Sequence, residues 1–247
     1  MIKEAITEIV ALAAPEIYEI GGDTYTTREL RRVAPHIDRP EAIGFASLDG
    51  VVQAIKAEIE REEISKPVFI NVESHKNARV FTTLRGDNLR RDSLYTASAV
   101  LPHPHPEWSD HEDAIIMLRS RFVPNEDVEY LLDLLSRISS DDSVTSNDNG
   151  VSQNVTATTG VALKTVERVK SRVSLAPYRT FLEVAQPESE FILRVQAGDK
   201  DAKTPPRIGI IEADGGAWKL AAKRGIADYF RRELAALVES GAVIVTE

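Results

Sequence analysis

The chain contains no cysteine. That excludes disulfides, thiolate nucleophiles and cysteine-ligated zinc or iron–sulfur sites, and it suits a reducing compartment. No apolar run reaches the eighteen or so residues of a membrane span. The opening "MIKEAITEIVALAAPEIYEI" is broken by Glu4, Glu8 and Glu16, so it lacks the continuous apolar core of a signal peptide. These absences predict a soluble protein of the cytoplasm, with no membrane partner. Aromatic residues make up only 6% of the chain, too few to indicate a stacking platform for single-stranded nucleic acid. The formal net charge of −9 disfavours a nucleic-acid coat, which needs clustered Lys and Arg. The signatures GxxxxGK[ST], GxSxG, GxGxxG and HExxH are all missing, and no repeat of solenoid or propeller period occurs.

With 247 residues, 43% of them hydrophobic, the chain is long enough for one large domain or a domain with a smaller lobe. Residues 1–40 read as a helix-and-hairpin segment and 41–247 as the main domain. Ile2, Ile6, Ile9 and Val10 form one helical stripe, and "YEIGGDTYTT" reads as strand, turn, strand. Ser47 caps a helix whose inner face is Val51, Val52, Ile55 and Ile59. "PVFINVES", "ARVFTTLR" and "LYTASAVLP", separated by short polar gaps, predict an antiparallel meander. "DAIIMLRSRFV" reads as a fourth strand. Asn125 caps a helix with Val128, Leu131, Leu132, Leu135 and Ile138 inward. The polar stretch 139–160 reads as a mobile loop entering a strand near 151–158, with Asn149-Gly150 a strong turn dipeptide. "ERVKSRVSL", "FILRVQ" and "RIGIIEA" read as strands. "GIADYFRRELAALVES" reads as a last helix with Ile226, Phe230, Leu234, Leu237 and Val238 inward, and "AVIVTE" as a final strand. Few long crossover helices separate the strands. The expected class is therefore α+β, with largely antiparallel sheets and three to four amphipathic helices.

Three of the five histidines fall in "LPHPHPEWSDHED". His103, His105, His111 and Asp110 are chemically able to bind zinc or a harder cation. The alternating prolines, however, favour an extended path on which His103 and His105 point in different directions. A stiff connection with Trp108 covering the core edge, or an exposed surface for a ligand or partner, are the competing readings. In "GIIEADGGAWKL" the Asp214-Gly215-Gly216 turn reads as a strand-to-strand hairpin with Trp218 inward. Alternatively, Glu212 and Asp214 frame a pocket. In "LAPYRTFLEVAQPESEFILRV", a strand over 181–185 would put Glu183 on the face of Phe181 and Ala185. There it needs a cationic partner, with Arg179 and Arg194 the natural candidates. Either this is a buried ion pair, or the arginines form a fork for a phosphate or carboxylate ligand. The basic runs at Arg28, Arg31 and Arg32, at Arg85, Arg90 and Arg91, from Lys164 to Arg172, and at Arg231 and Arg232 are interleaved with acids, as solvated faces are.

Four strings, "FASLDGVVQAI", "EWSDHEDAIIMLRS", "LAPYRTFLEVAQPESEFILRV" and "IEADGGAWKLAA", occur in this order. Together they resemble the YfdQ-like family of phage and prophage proteins, from about Phe45 to the last helix. The resemblance implies a phage gene expressed in the host cytoplasm, among early accessory genes near recombination and replication functions. It brings no activity and no catalytic residue. The family pattern includes Trp108 and His111, Arg179 to Gln186, and Asp214 to Trp218, but not clearly His103 or His105.

The leading expectation is a non-enzymatic phage accessory protein, a counter-defence factor that captures a small anionic ligand or blocks a host protein. The candidate ligand-binding residues are Arg179, Glu183, Gln186, Arg194, Asp214, Trp218, Trp108 and His111. No catalytic residue, metal or cofactor is assigned. The alternative is an accessory of DNA recombination or replication with a local basic groove. A metal-dependent hydrolase using His111 with Asp110 or Asp214 ranks last. A homo-oligomer is expected from the β-rich character.

Overall fold

A computed structural model describes residues 2–13, 17–20, 23–26, 41–84, 90–137, 143–148, 153–159, 162–196 and 205–247. The chain divides into two compact units, Met1–Arg39 and Pro40–Glu247. In the first, helix α1 (Ile2–Ala13) is followed by β1 (Ile17–Ile20) and β2 (Asp23–Thr26), an antiparallel pair across the Gly-Gly dipeptide. Ile2 and Ile6 on α1 are exposed.

In the second unit the order is β3 (Ile43–Phe45), α2 (Leu48–Glu60), β4 (Val68–Ser74), β5 (Asn77–Phe81), β6 (Ser93–Ser98), β7 (Trp108–Asp110), α3 (His111–Arg121) and α4 (Glu126–Arg137). Then come β8 (Ser143–Asp148), β9 (Gln153–Thr159), β10 (Ala162–Val169), β11 (Arg172–Leu175), β12 (Ser189–Gln196), β13 (Arg207–Glu212), α5 (Trp218–Glu233), α6 (Ala235–Glu239) and β14 (Val243–Thr246). The class is α+β, with most strand pairs antiparallel. Among the described residues no helix is long and apolar enough to cross a membrane.

The first half of this unit is a five-stranded sheet in the order β14-β4-β5-β6-β3. Its centre is the expected antiparallel meander, while β14 and β3 join its two edges in parallel. Alternate residues of β4, Val68, Ile70 and Val72, are buried against α2 and α5, the period of two that a one-sided sheet requires. Ser47 caps α2, its Oγ accepting from Gly50 N at 3.2 Å, and Val51, Val52, Ile55 and Ile59 are buried as expected. α5 carries Ile226 and Phe230 into the same core, and Leu234 after it follows them. α5 starts at Trp218, seven residues before the expected Gly225, and the expected last helix is divided at Leu234 into α5 and α6.

The second half is a four-stranded antiparallel sheet, β11-β12-β13-β7, covered by α3 and α4. Residues expected as a fourth strand, "DAIIMLRSRFV", instead form most of α3. The physical reason lies at its ends. Asp110 Oδ1 accepts from Asp113 N at 2.9 Å, Glu112 and Asp113 fill the first turn, and Arg119 and Arg121 the last. Each end thus complements the helix dipole. Ala114, Met117 and Leu118 are buried with helical spacing. Asn125 caps α4 through Val128 N at 2.8 Å. Leu134, absent from the expected inner face, is buried with Val128, Leu131 and Leu135, while Leu132 is half-buried; Ile138 lies outside the described residues.

Two further expectations change. In the stretch 139–160 the expected strand near 151–158 forms as β9, but a further strand, β8, precedes it and pairs with it antiparallel, and β10 completes a three-stranded sheet. Thr and Val content outweighed the polarity that suggested a loop. Asn149-Gly150, between β8 and β9, lies outside the described residues. "ERVKSRVSL" is not one strand but two in different sheets, β10 and β11. The break falls at Lys170-Ser171, where α4 intervenes: Tyr130 OH accepts from Lys170 N at 3.1 Å and Asp127 from Lys170 Nζ at 2.7 Å.

Candidate functional site

Where the two halves meet, a cavity of about 430 Å³ opens. One wall is the His75-Lys76 turn between β4 and β5, and a second is Leu101 to His105. Arg121 at the end of α3, the 177–179 segment, Glu212 at the end of β13, and Trp218 and Lys219 at the start of α5 complete it. Backbone pairing holds several of these in place. Phe122 bridges Pro177, and Tyr178 N donates to the Arg121 carbonyl at 2.9 Å. Thr180 Oγ1 donates to the His75 carbonyl at 2.6 Å, joining the two halves.

Arg179 is the buried charge of the site, only 9% exposed. Its Nη1 donates to Glu212 Oε1, its Nη2 to Ser189 Oγ and to the Pro187 carbonyl. The guanidinium lies 3.9 Å from the Trp218 ring centroid, and the His75 ring meets Trp218 edge-on at 4.8 Å. Such a stack suits Arg, whose planar cation is attracted by an indole face. Burial lowers the Arg179 pKa, and the Glu212 and Asp214 carboxylates oppose that shift. The group stays charged at neutral pH, as arginines do.

The segment after Arg179 is a turn, not the strand expected over 181–185. Gln186 closes it: Oε1 accepts from Arg179 N at 2.9 Å and Thr180 N at 3.1 Å, while Nε2 donates to the Phe181 and Val184 carbonyls. A side-chain amide thus does what a ladder would have done for the backbone. Glu183 pairs with neither Arg179 nor Arg194. Its Oε1 accepts from Leu48 N at 2.7 Å and from Asp49 N, at the N-terminus of α2 where unpaired N–H groups and the dipole favour a carboxylate.

Asp214 starts α5 in place of the expected strand-to-strand hairpin. Its two oxygens accept from Gly216 N at 2.8 Å and Trp218 N at 3.1 Å. Gly215 and Gly216 adopt positive φ, 65° and 84°, which glycine tolerates at no steric cost. Burial pushes the Asp214 pKa up, but those N–H groups, Ser189 and Arg179 outweigh it and hold the pKa below the usual carboxylate value.

Of the eight candidate residues, Arg179 and Trp218 line the cavity, and Gln186 and Asp214 support them from behind. Glu183 braces α2. Arg194, on β12, sits opposite Gly209 and donates from Nη1 to the Leu193 carbonyl. Trp108, on β7, lies against that same Gly209, where an added Cβ would come within 3.0 Å of its ring. His111 Nε2–H donates to the Leu135 carbonyl at 2.7 Å, tying α3 to α4. None of Glu183, Arg194, Trp108 and His111 lines the cavity.

Sequence reasoning singled out neither Lys219 nor Arg121, and took His75 and Lys76 only as part of a hairpin gap. His103 and His105 do line the cavity. His105 also packs against Phe122 and Phe191, and Arg121 Nη1 donates to the His103 and Pro104 carbonyls at 3.3 Å each. Burial lowers the His75 pKa, with Lys76, Lys219 and Arg179 adding to the shift. Burial lowers that of His105 as well; the Pro106 carbonyl and Glu212 oppose it, and Arg179 and Arg121 reinforce it. Among the described residues no three His, Asp or Glu side chains gather as metal ligands; Asp110 caps α3, and Asp214 is engaged by the N–H groups of Gly216 and Trp218. Compared with protein families, with curated proteins and with solved structures, the chain matches none.

Proposed function

We propose that the protein binds a small anionic ligand in the cavity between its two halves. One observation carries this reading: four cationic side chains, Lys76, Arg121, Arg179 and Lys219, face the cavity against a single carboxylate, Glu212. An acidic chain that gathers excess positive charge around one concave, largely apolar site focuses anions there. The YfdQ-like resemblance supplies the setting, a phage accessory protein of the host cytoplasm whose capture of such a ligand would counter a host defence. Isothermal titration of sulfate or phosphate at low ionic strength tests the binding. Saturable binding that weakens in Lys219→Ala and Arg121→Ala supports it. An absence of heat for every small anion tried removes it.

A second reading, an accessory to recombination or replication, is favoured by the face of the five-stranded sheet opposite α2 and α5. There Phe69 and Phe81 are direct cross-strand neighbours. Arg91 lies 4.1 Å over the Phe69 ring, and Arg79 lies 5.8 Å from that of Phe81. Paired aromatics with flanking arginines suit stacked bases. Salt-sensitive binding of single-stranded DNA that is lost in Phe69→Ala would favour this reading over the first. The sheet edges β14, β3, β11 and β7 offer routes to a homo-oligomer, which light scattering in solution would size.

A further inference from the structure

The unmet charge at the cavity narrows the chemistry of its ligand. Glu212 is engaged by Arg179. Among the described residues, Lys76, Arg121 and Lys219 form no ion pair with an acid. The lining therefore carries an excess of positive charge that one carboxylate ligand would leave mostly unmet. Three cations without an acidic partner call for more than one negative charge, and a phosphomonoester brings about two charges and three terminal oxygens, more than a carboxylate.

The cavity is also much larger than an inorganic anion, and Leu101, Pro102, Pro104, Pro177 and Tyr178 give it apolar walls. Those walls suit a flat organic group beside the anionic head. We propose that the ligand is a phosphomonoester with a ring-sized organic body. Its phosphate lies among Lys76, Arg121 and Lys219, and its body against the proline-rich wall. This rests on the anion-binding reading above.

Matched probes separate the two propositions. Phenyl phosphate, benzoate and inorganic phosphate are titrated into the full chain at pH 7.5 and low salt by calorimetry. Phenyl phosphate is expected to bind tightest, by about tenfold over each of the others, equivalent to about 1.4 kcal/mol. Its affinity should fall by a further tenfold or so in Lys219→Ala, a variant of an exposed side chain whose urea midpoint is checked against the parent. Benzoate equal to phenyl phosphate overturns the phosphate assignment and leaves anion binding standing. Inorganic phosphate equal to phenyl phosphate overturns the organic body. If none of the three binds, both this inference and the anion-binding function fail.

Discussion

The two halves of the larger unit are built alike and closed differently. Each is a sheet with one face buried under two helices, α2 and α5 in one and α3 and α4 in the other. The four-stranded half takes no core residue from the five-stranded one; its one borrowed residue is Val169, at the end of β10 in the three-stranded sheet. The five-stranded half borrows Phe181, which lies between β11 and β12 in the chain yet is buried in the first core. Two residues earlier the same turn presents Arg179 to the cavity. One short segment therefore anchors in one half and supplies charge at the junction. A ligand at this site would meet side chains from both halves, with its central cation held by packing on either side.

That contrast can be broken most severely at the borrowed anchor. Phe181→Ala should cost about 3–5 kcal/mol by urea unfolding, the range for a buried Phe. Its neighbour Leu182, 77% exposed, should cost under about 0.5 kcal/mol as Ala. Similar losses at the two positions would mean that the turn does not depend on the first core.

Next comes the buried cation. Arg179→Ala removes the partner of Ser189 and of Glu212, whose side chain is 36% exposed, and should cost about 2–3 kcal/mol, at or below the low end for a fully buried pair. Arg172→Ala, which breaks the exposed pair with Glu190, should cost at most about 1 kcal/mol. Equal effects on the two melting curves would remove the special standing of the junction.

A smaller effect marks the second half alone. Gly209→Ala drives a methyl against the Trp108 ring and should cost about 1–3 kcal/mol through overpacking. By contrast, a methyl added at Gly225, inside α5, would meet nothing within 4 Å, so Gly225→Ala should stabilise by about 0.5–1 kcal/mol. Near-UV circular dichroism of Trp108 would show whether the ring has moved.

The most delicate test is pH. His75 and His105 have folded pKa values below the ordinary value of about 6.5. Folded protein therefore binds fewer protons than unfolded chain just below that value. Stability contributed by these groups is present above it and declines as pH falls through the lowered folded pKa values. A bound anion favours the protonated imidazoles, so sulfate, which does not titrate in this range, should bind with proton uptake and more tightly as pH drops below about 6.5. Calorimetry in two buffers of different ionisation heat measures that uptake, and identical heats would exclude both histidines from the site.

Much of the architecture was legible beforehand because it follows from local patterns. Alternation in β4 and the Ser47 and Asn125 caps each involve neighbours within a few residues, so the chain carries them openly. The misread elements share a cause. "AIIML" is equally apolar as strand or helix, and only the capping carboxylate of Asp110 and the packing of Ala114, Met117 and Leu118 decide between them. "ERVKSRVSL" has one rhythm throughout, yet α4 separates it at Lys170. Trp218 was rightly placed inward, but the turn before it was taken for a hairpin because Asp-Gly-Gly serves both connections equally well.

At the site, Arg179 stood out as a candidate partner for Glu183, and Trp218 as an indole packed inward after the Asp-Gly-Gly turn. Lys76, Arg121 and Lys219 did not, because a lone basic side chain in a turn or at a helix end is ordinary. By itself, then, the sequence determined the helix caps at Ser47 and Asn125, the meander, the α+β class and the need to satisfy the Glu183 carboxylate. Tertiary structure alone decided that the N-terminus of α2 would meet that need, that Arg179 would pair with Glu212 instead, and that four separate cations would share one cavity. The physical reason is range: periodicity and capping act over a few residues, whereas electrostatic convergence depends on which distant segments the packing of two cores brings together.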